Sequence, residues 1–119
     1  MNLGDTMNDC LFCKIASGQI PADIVAENEI AVAFRDISPE APSHVLVIPR
    51  EHHDNVSDLA LANPLLAGQL LALAAEVIQT EKLTNGYRIV TNTGVDGGQS
   101  VNHLHFHVLG GRGLTWPPG

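Results

Sequence analysis

Three histidines, His103, His105 and His107, alternate with Leu104, Phe106 and Val108. On an extended strand, positions i, i+2 and i+4 share one face. This spacing therefore lines three imidazoles along one side and sends three apolar side chains toward a core. Imidazole is a nucleophile, a proton carrier and a metal ligand near neutral pH. Two chemistries follow: three ligands for a catalytic metal, or one nucleophilic histidine oriented by its neighbours. No Asp or Glu lies close to the triad on its own strand to help complete an open metal site, which counts against the first. The run just before it, Asn92 to Gln99, carries Gly94, Gly97 and Gly98 and leads through Ser100 into the triad. Glycine lets backbone N–H groups come close to an anion, so this loop suits a phosphate.

A second cluster is Cys10-Leu11-Phe12-Cys13. CxxC reads either as a redox pair or as half of a zinc site. A thioredoxin-like pair needs a βαβ setting, which the chain lacks. A zinc site needs two more ligands; His52 and His103 are available, with His53 a near competitor, and two free thiols or a disulfide are the alternatives.

The elements that must hold these groups can be read in order. Asp9 caps a short helix from about Cys10 to Ser17, stopped by Gly18 and Pro21. Ile24 to Glu27 and Ile30 to Arg35 read as a hairpin turning at Asn28. A Pro-rich loop leads to a third strand, Val45 to Ile48, ended by Pro49. Asn63-Pro64 opens one long helix running to about residue 82, with Leu66, Leu70, Leu73 and Val77 on one stripe. Leu65, Ala72 and Ala75 widen its apolar surface beyond what one sheet face needs. Tyr87 to Thr91 and Val101 to Leu109 read as the fourth and fifth strands. Pro117-Pro118 exclude the tail from helix or central strand. Strands grouped rather than alternating with helices favour an α+β fold.

The chain has 119 residues, a length for one domain, here 9–119 after a loose stretch 1–8. Thirteen acidic residues against six Lys and Arg give a net charge of −7. So acidic a chain is a poor partner for nucleic-acid polymers or anionic membranes, although one nucleotide needs only local donors. The polar, acidic start is unlike a signal peptide, and the apolar run Leu65 to Ile78 is too short to span a bilayer. The expected location is the cytoplasm, which also suits two cysteines without an export signal.

The run Ser100-Val101-Asn102-His103-Leu104-His105-Phe106-His107-Val108-Leu109 resembles the motif of the histidine-triad (HIT) family. The resemblance extends to Phe34–His52, to Gly86–Val101 and to the terminal Trp116-Pro117-Pro118-Gly119, which looks like the Hint branch, the purine nucleoside phosphoramidases. It implies the HIT fold: α+β, with a mostly antiparallel sheet of about five strands, one long helix and one short helix. It implies hydrolysis of nucleoside 5′-phosphoramidates through a nucleotidyl-histidine at His105, without a catalytic metal. Dinucleoside polyphosphate hydrolysis, or a nucleotide-binding scaffold with vestigial activity, are the alternatives.

By the resemblance, His107 orients and polarises His105, and His44 adjoins it. Ser100 bonds the leaving amine. Asn92, Gly98 and backbone near Gln99 and His107 hold the phosphate. Asp36, otherwise a turn cap before Ser38-Pro39, accepts from the ribose hydroxyls. Phe12, Ile15, Phe34 and Ile37, which could equally be core, form the base pocket. In several branches a CxxC joins the histidine after the IPxxH segment and the first triad histidine, here Cys10, Cys13, His52 and His103, around a structural zinc. The best-known Hint proteins lack this CxxC. The family forms homodimers through the long helix and the GYRIV strand. The tail with Trp116 then runs toward the partner's active site and shapes leaving-group preference.

Overall fold

The structure, a computed structural model, describes residues 9–119; the expected loose stretch 1–8 lies outside them. Helix α1, Leu11–Ala16, opens at Cys10 rather than Asp9: the Cys10 thiol itself accepts from the Cys13 N–H at 3.3 Å. Strands β1, Ile24–Glu27, and β2, Ala31–Arg35, form the expected hairpin. Its turn is held by the Asn28 side-chain oxygen, which accepts from the N–H groups of Ile30 and Ala31 at 2.9 Å. Strand β3, Ser43–Pro49, is buried along its whole length.

Two helices follow where one was expected. Helix α2, Val56–Ala62, is capped by Asn55 and buries Leu59. Its period was hidden because only that one residue reaches the core. Helix α3, Pro64–Thr80, is the long helix, capped by Asn63. It buries Leu66, Leu70, Leu73 and Val77 as the stripe requires, with Ala74 beside them. Strand β4 is Tyr87–Val90. A single helical turn, α4, Gly94–Gly97, lies inside the expected glycine loop, and Gly98 follows in the left-handed region at φ 76°. That conformation costs glycine nothing.

The last strand, β5, runs from Phe106 to Gly110 and so holds only the third triad histidine. The ladder with β3 begins at Val47↔Phe106. It stops there because Pro49 has no N–H to offer and its carbonyl is taken by the His103 ring at 2.8 Å. The alternation nevertheless persists: Leu104, Phe106 and Val108 all enter the core under α3.

The sheet is antiparallel throughout, in the order β1-β2-β3-β5-β4. One face, with Ala31, Ala33, Val45 and Val47, packs under α2 and α3. The other face presents Val32, Phe34, Leu46 and Ile48, and α1 covers only part of it through Phe12 and Ala16. The uncovered remainder carries the site. Among the described residues no helix is long and apolar enough to cross a membrane.

The end of α3 is tied to the sheet by charge. Glu81 accepts from Arg35 Nη1 and Nη2 at 2.6 and 2.9 Å and from the Ser43 hydroxyl at 2.9 Å. These bonds, those from Arg35 foremost, hold its carboxyl below the usual carboxylate range. Glu81→Gln should lower stability by about 1–2 kcal/mol at neutral pH, the half-exposed guanidinium being screened by solvent. Because the folded-state pKa is depressed, this contribution is complete above the ordinary carboxyl range and fades as pH falls below it. The Tm deficit of the variant should therefore narrow on acidification. A deficit independent of pH would show that the charge is not what ties the helix down.

Candidate active site

His107 projects from β5 onto the open sheet face, across from Leu46 on β3 and Val90 on β4. His44 lies on that face of β3, and its Nε2 meets His107 Nδ1 at 2.9 Å. The proton positions follow from fixed backbone groups. The Glu40 N–H donates to His44 Nδ1 at 3.0 Å, so neutral His44 carries its proton on Nε2 and donates it to His107. His107 then keeps its own proton on Nε2. Asp36 Oδ2 stands 3.5 Å from His44 Nε2.

His105 precedes β5 and is buried, with its Nδ1 2.8 Å from the His103 carbonyl. A carbonyl accepts, so Nδ1 holds the proton and Nε2 is left with a free lone pair. The rings of His105 and His107 lie 5.0 Å apart, and Phe12 packs edge-on against His105 at 5.0 Å. Burial, above all, pushes His105 below the ordinary imidazole range and His107 down to about 4, with the neighbouring histidines adding to the effect on His107. Both rings are thus neutral at physiological pH.

These two histidines line a cleft of about 700 Å³. Phe12, Ile15 and Phe34 supply an apolar wall, Asp36 and Ser100 polar edges, and Ile37 an almost fully exposed rim. A neutral nucleophile at the floor, a carboxylate at the edge and an apolar wall suit a ligand with an apolar end, hydroxyls and an electrophilic centre. Asn92 is set apart, in a smaller depression on the far side of His107. Its amide donates to the Gly97 carbonyl at 2.7 Å. The Gly98 and Gln99 N–H groups are spent on the carbonyls of Val95 and Gly94 as α4 closes. The Gln99 side chain braces the loop through Gly94, Asp54 and Val101. Trp116 is 83% exposed, and its neighbours Thr115 and Pro118 are held through their carbonyls by Arg88.

The first triad histidine belongs to a different cluster. His103 Nδ1 lies 3.3 and 3.4 Å from the sulfurs of Cys10 and Cys13, and His52 Nδ1 lies 3.3 Å from that of Cys13. The four ligand atoms all fall within 4.8 Å of one another. Tetrahedral coordination with ordinary Zn–S and Zn–N bonds sets sulfur and nitrogen about 3.5 Å apart, so the set fits a zinc ion. The chemistry fits too. His103 Nε2 donates to the Pro49 carbonyl and His52 Nε2 to Asp54, which turns both Nδ1 lone pairs inward. Without a cation, burial and the adjacent Cys10 push the Cys13 thiol up to about 12. A bound dication would reverse that balance.

Asp36, His44 and His107 form a second close group that could be mistaken for a metal site. The carboxylate absent from the triad strand arrives here from the end of β2. The proton order argues against coordination: with Nδ1 of His44 already accepting, its Nε2 is N–H and offers no lone pair. Several orienting groups went unread in the sequence. Asp54 had a readable signal in its two-residue spacing from His52, whereas the Pro49 and His103 carbonyls and the Glu40 N–H are backbone groups that residue type does not reveal.

The comparisons agree with this architecture. Residues 17–114 match the HIT domain family. An uncharacterized HIT-like protein from Synechococcus elongatus is 50% identical over 111 residues, 93% of this chain and 97% of that protein. The crystal structure of a HIT family hydrolase from Legionella pneumophila, 48% identical, superposes with a TM-score of 0.89 over 93% of this chain and 100% of that one. A histidine triad nucleotide-binding protein from Candida albicans is 30% identical, with a TM-score of 0.78 over 92% and 83% of the two chains. An antiparallel sheet with its histidines at the uncovered face, matched along nearly the whole length of such relatives, makes this chain a member of the HIT domain family.

Proposed function

We propose that the protein hydrolyses nucleoside 5′-phosphoramidates by covalent catalysis at His105, as in the Hint branch. The observation that carries this reading is the lone pair of His105 Nε2, left free because the Nδ1 proton is bound to the His103 carbonyl. In the proposed step, Nε2 attacks the α-phosphorus, the P–N bond to imidazole forms and the P–N bond to the amine breaks. As the amine departs it takes the proton of His107 Nε2, a ring that His44 Nε2–H orients through the 2.9 Å bond to His107 Nδ1. Ser100 then hydrogen-bonds the amine. Water next displaces the imidazole, returns a proton to His107 Nε2 and releases the nucleoside monophosphate. Asp36 accepts from the ribose, and Phe12, Ile15 and Phe34 hold the base, with Ile37 at the rim. Asn92 takes a phosphate oxygen after releasing Gly97. Gly98 and Gln99 contribute by shaping the loop.

His105→Ala should lower turnover of an adenosine 5′-phosphoramidate by several orders of magnitude while nucleoside monophosphate binding survives. Mass spectrometry of quenched wild-type reactions should find the nucleotide on the peptide containing His105. Wild-type turnover in the variant would sink the mechanism.

The reading includes a structural zinc on Cys10, Cys13, His52 and His103. When bound, it would join α1, the segment after β3 and the triad segment in one closed set of four ligands without activating water. Freshly purified protein should contain about one zinc per chain. Cys10→Ser and Cys13→Ser should each lose the metal and melt several degrees lower. Negligible zinc with unchanged melting in both variants would rule the metal out.

The reading also includes a homodimer through α3 and β4. Leu65 and Leu71 on α3 are 72% and 48% exposed, and β4 is an edge strand with one side unpaired. The partner's tail, with Trp116, would then border the cleft. Sedimentation should give twice the chain mass at micromolar concentration, and a monomer there would contradict the dimer.

A further inference from the structure

The chain has only six Lys and Arg. Two of them, Arg88 and Arg112, line the depression of about 270 Å³ on the side of His107 away from the apolar wall. Arg88 pairs with Leu109 on β5, two positions from the Val90↔His107 pair, and so lies on the same sheet face as His107 and diagonal to it. Arg112 reaches the site from the other side. Its Nε donates to the Glu40 carbonyl at 3.0 Å, and the N–H of that same residue holds His44.

Their partners set these two apart. Arg35 and Arg50 form ion pairs with Glu81 and Glu27. Among the described residues, Arg88 and Arg112 meet no carboxylate within ion-pair distance. Their hydrogen bonds go to the carbonyls of Thr115, Pro118, Glu40 and Gly113. Carbonyls engage some N–H donors but leave the two positive charges uncompensated. Glu40 also lines this depression, and among the described residues its carboxylate pairs with neither arginine. In a chain of net charge −7, two unpaired guanidiniums beside the proton donor of the proposed reaction form a local positive field.

We infer that this depression is the leaving-group subsite and that Arg88 and Arg112 select leaving groups bearing an anion, a carboxylate or a phosphate. The inference rests on the proposed phosphoramidase reading. The apolar wall and Asp36 lie on one side of His107 and the two arginines on the other, so with the amine nitrogen held between Ser100 and His107 the rest of the leaving group extends past His107 toward the arginines. A neutral amine leaves that field unused. An amine carrying a carboxylate or phosphate two carbons away would meet it in a charge-assisted contact.

The test uses three adenosine 5′-phosphoramidates that differ only at the leaving amine: propylamine, β-alanine and 2-aminoethyl phosphate. Wild-type kcat/KM should favour one or both anionic conjugates over the propyl conjugate by about tenfold or more at low salt, and the preference should shrink as salt rises. The β-alanine and phosphate arms separate the two anion sources. Arg88→Gln and Arg112→Gln should each reduce the preference, and the double variant should bring it near unity. Arg→Lys at each position should retain part of it. Because the ratio is read within each variant, a general loss of catalytic geometry cancels. Dissociation constants of the same conjugates for His105→Ala give the preference without turnover. If wild-type protein turns over none of the three, the phosphoramidase reading fails and the binding ratios still decide the subsite. A ratio near unity in wild type, or a high ratio untouched in the double variant, would overturn the inference.

Discussion

The hydrogen bond from His105 Nδ1 to the His103 carbonyl is the constraint on which the rest of the site depends. It fixes both the tautomer and the direction of a buried imidazole, leaving Nε2 as a lone pair at the floor of the cleft. The bond in turn requires residue 103 to stay still. Its ring is gripped on one side by the Pro49 carbonyl and faces the two sulfurs on the other. Its neighbour Leu104 is fully buried and donates its N–H to the His53 carbonyl at 2.7 Å. A segment outside any ladder is thereby held through both its side chains and its backbone.

The two histidine clusters show how proton positions divide similar residues between unlike tasks. In one, carbonyl and carboxylate acceptors take the Nε2 protons of His103 and His52, and two lone pairs converge beside two thiols. In the other, a backbone N–H occupies His44 Nδ1, and each later N–H points onward, through His107 toward the cleft. The first arrangement suits a cation and the second an oriented N–H donor at His107 Nε2. The difference is set by second partners that are mostly backbone groups.

The antiparallel sheet makes this division spatially economical. One face is fully committed to α2 and α3, which supplies the main apolar core. The other is covered by α1 only near Val32, Phe34, Leu46 and Ile48. That short helix closes one end of the cleft with Phe12 and carries Cys13, with Cys10 as its N-cap, so the apolar wall and the thiol cluster meet at one element. Charge follows the same partition. The Arg35–Glu81 pair sits on the helical side, whereas among the described residues Arg88 and Arg112 have no acidic partner near the open face.

Much of this was legible in residue types and spacing, because side-chain periodicity survives the details of backbone pairing. The period of two put Leu104, Phe106 and Val108 in the core even though the ladder begins only at Phe106. The stripe at Leu66, Leu70, Leu73 and Val77 located the long helix, and the caps at Asn63-Pro64 located its start. The set Cys10, Cys13, His52 and His103 was nameable through family resemblance, and the structure brings its four ligand atoms together. What the linear order could not supply were the features made by contact between distant segments. Helix α2 has one core residue, too few for a period to show. The glycine loop folds into a turn that spends the N–H groups of Gly98 and Gln99 internally. The carboxylate beside His107 comes from the end of β2, and the arginines that flank it come from β4 and the segment after β5. Tautomers, too, depend on which backbone carbonyl or N–H the fold delivers to each ring, and that information resides in no residue's identity.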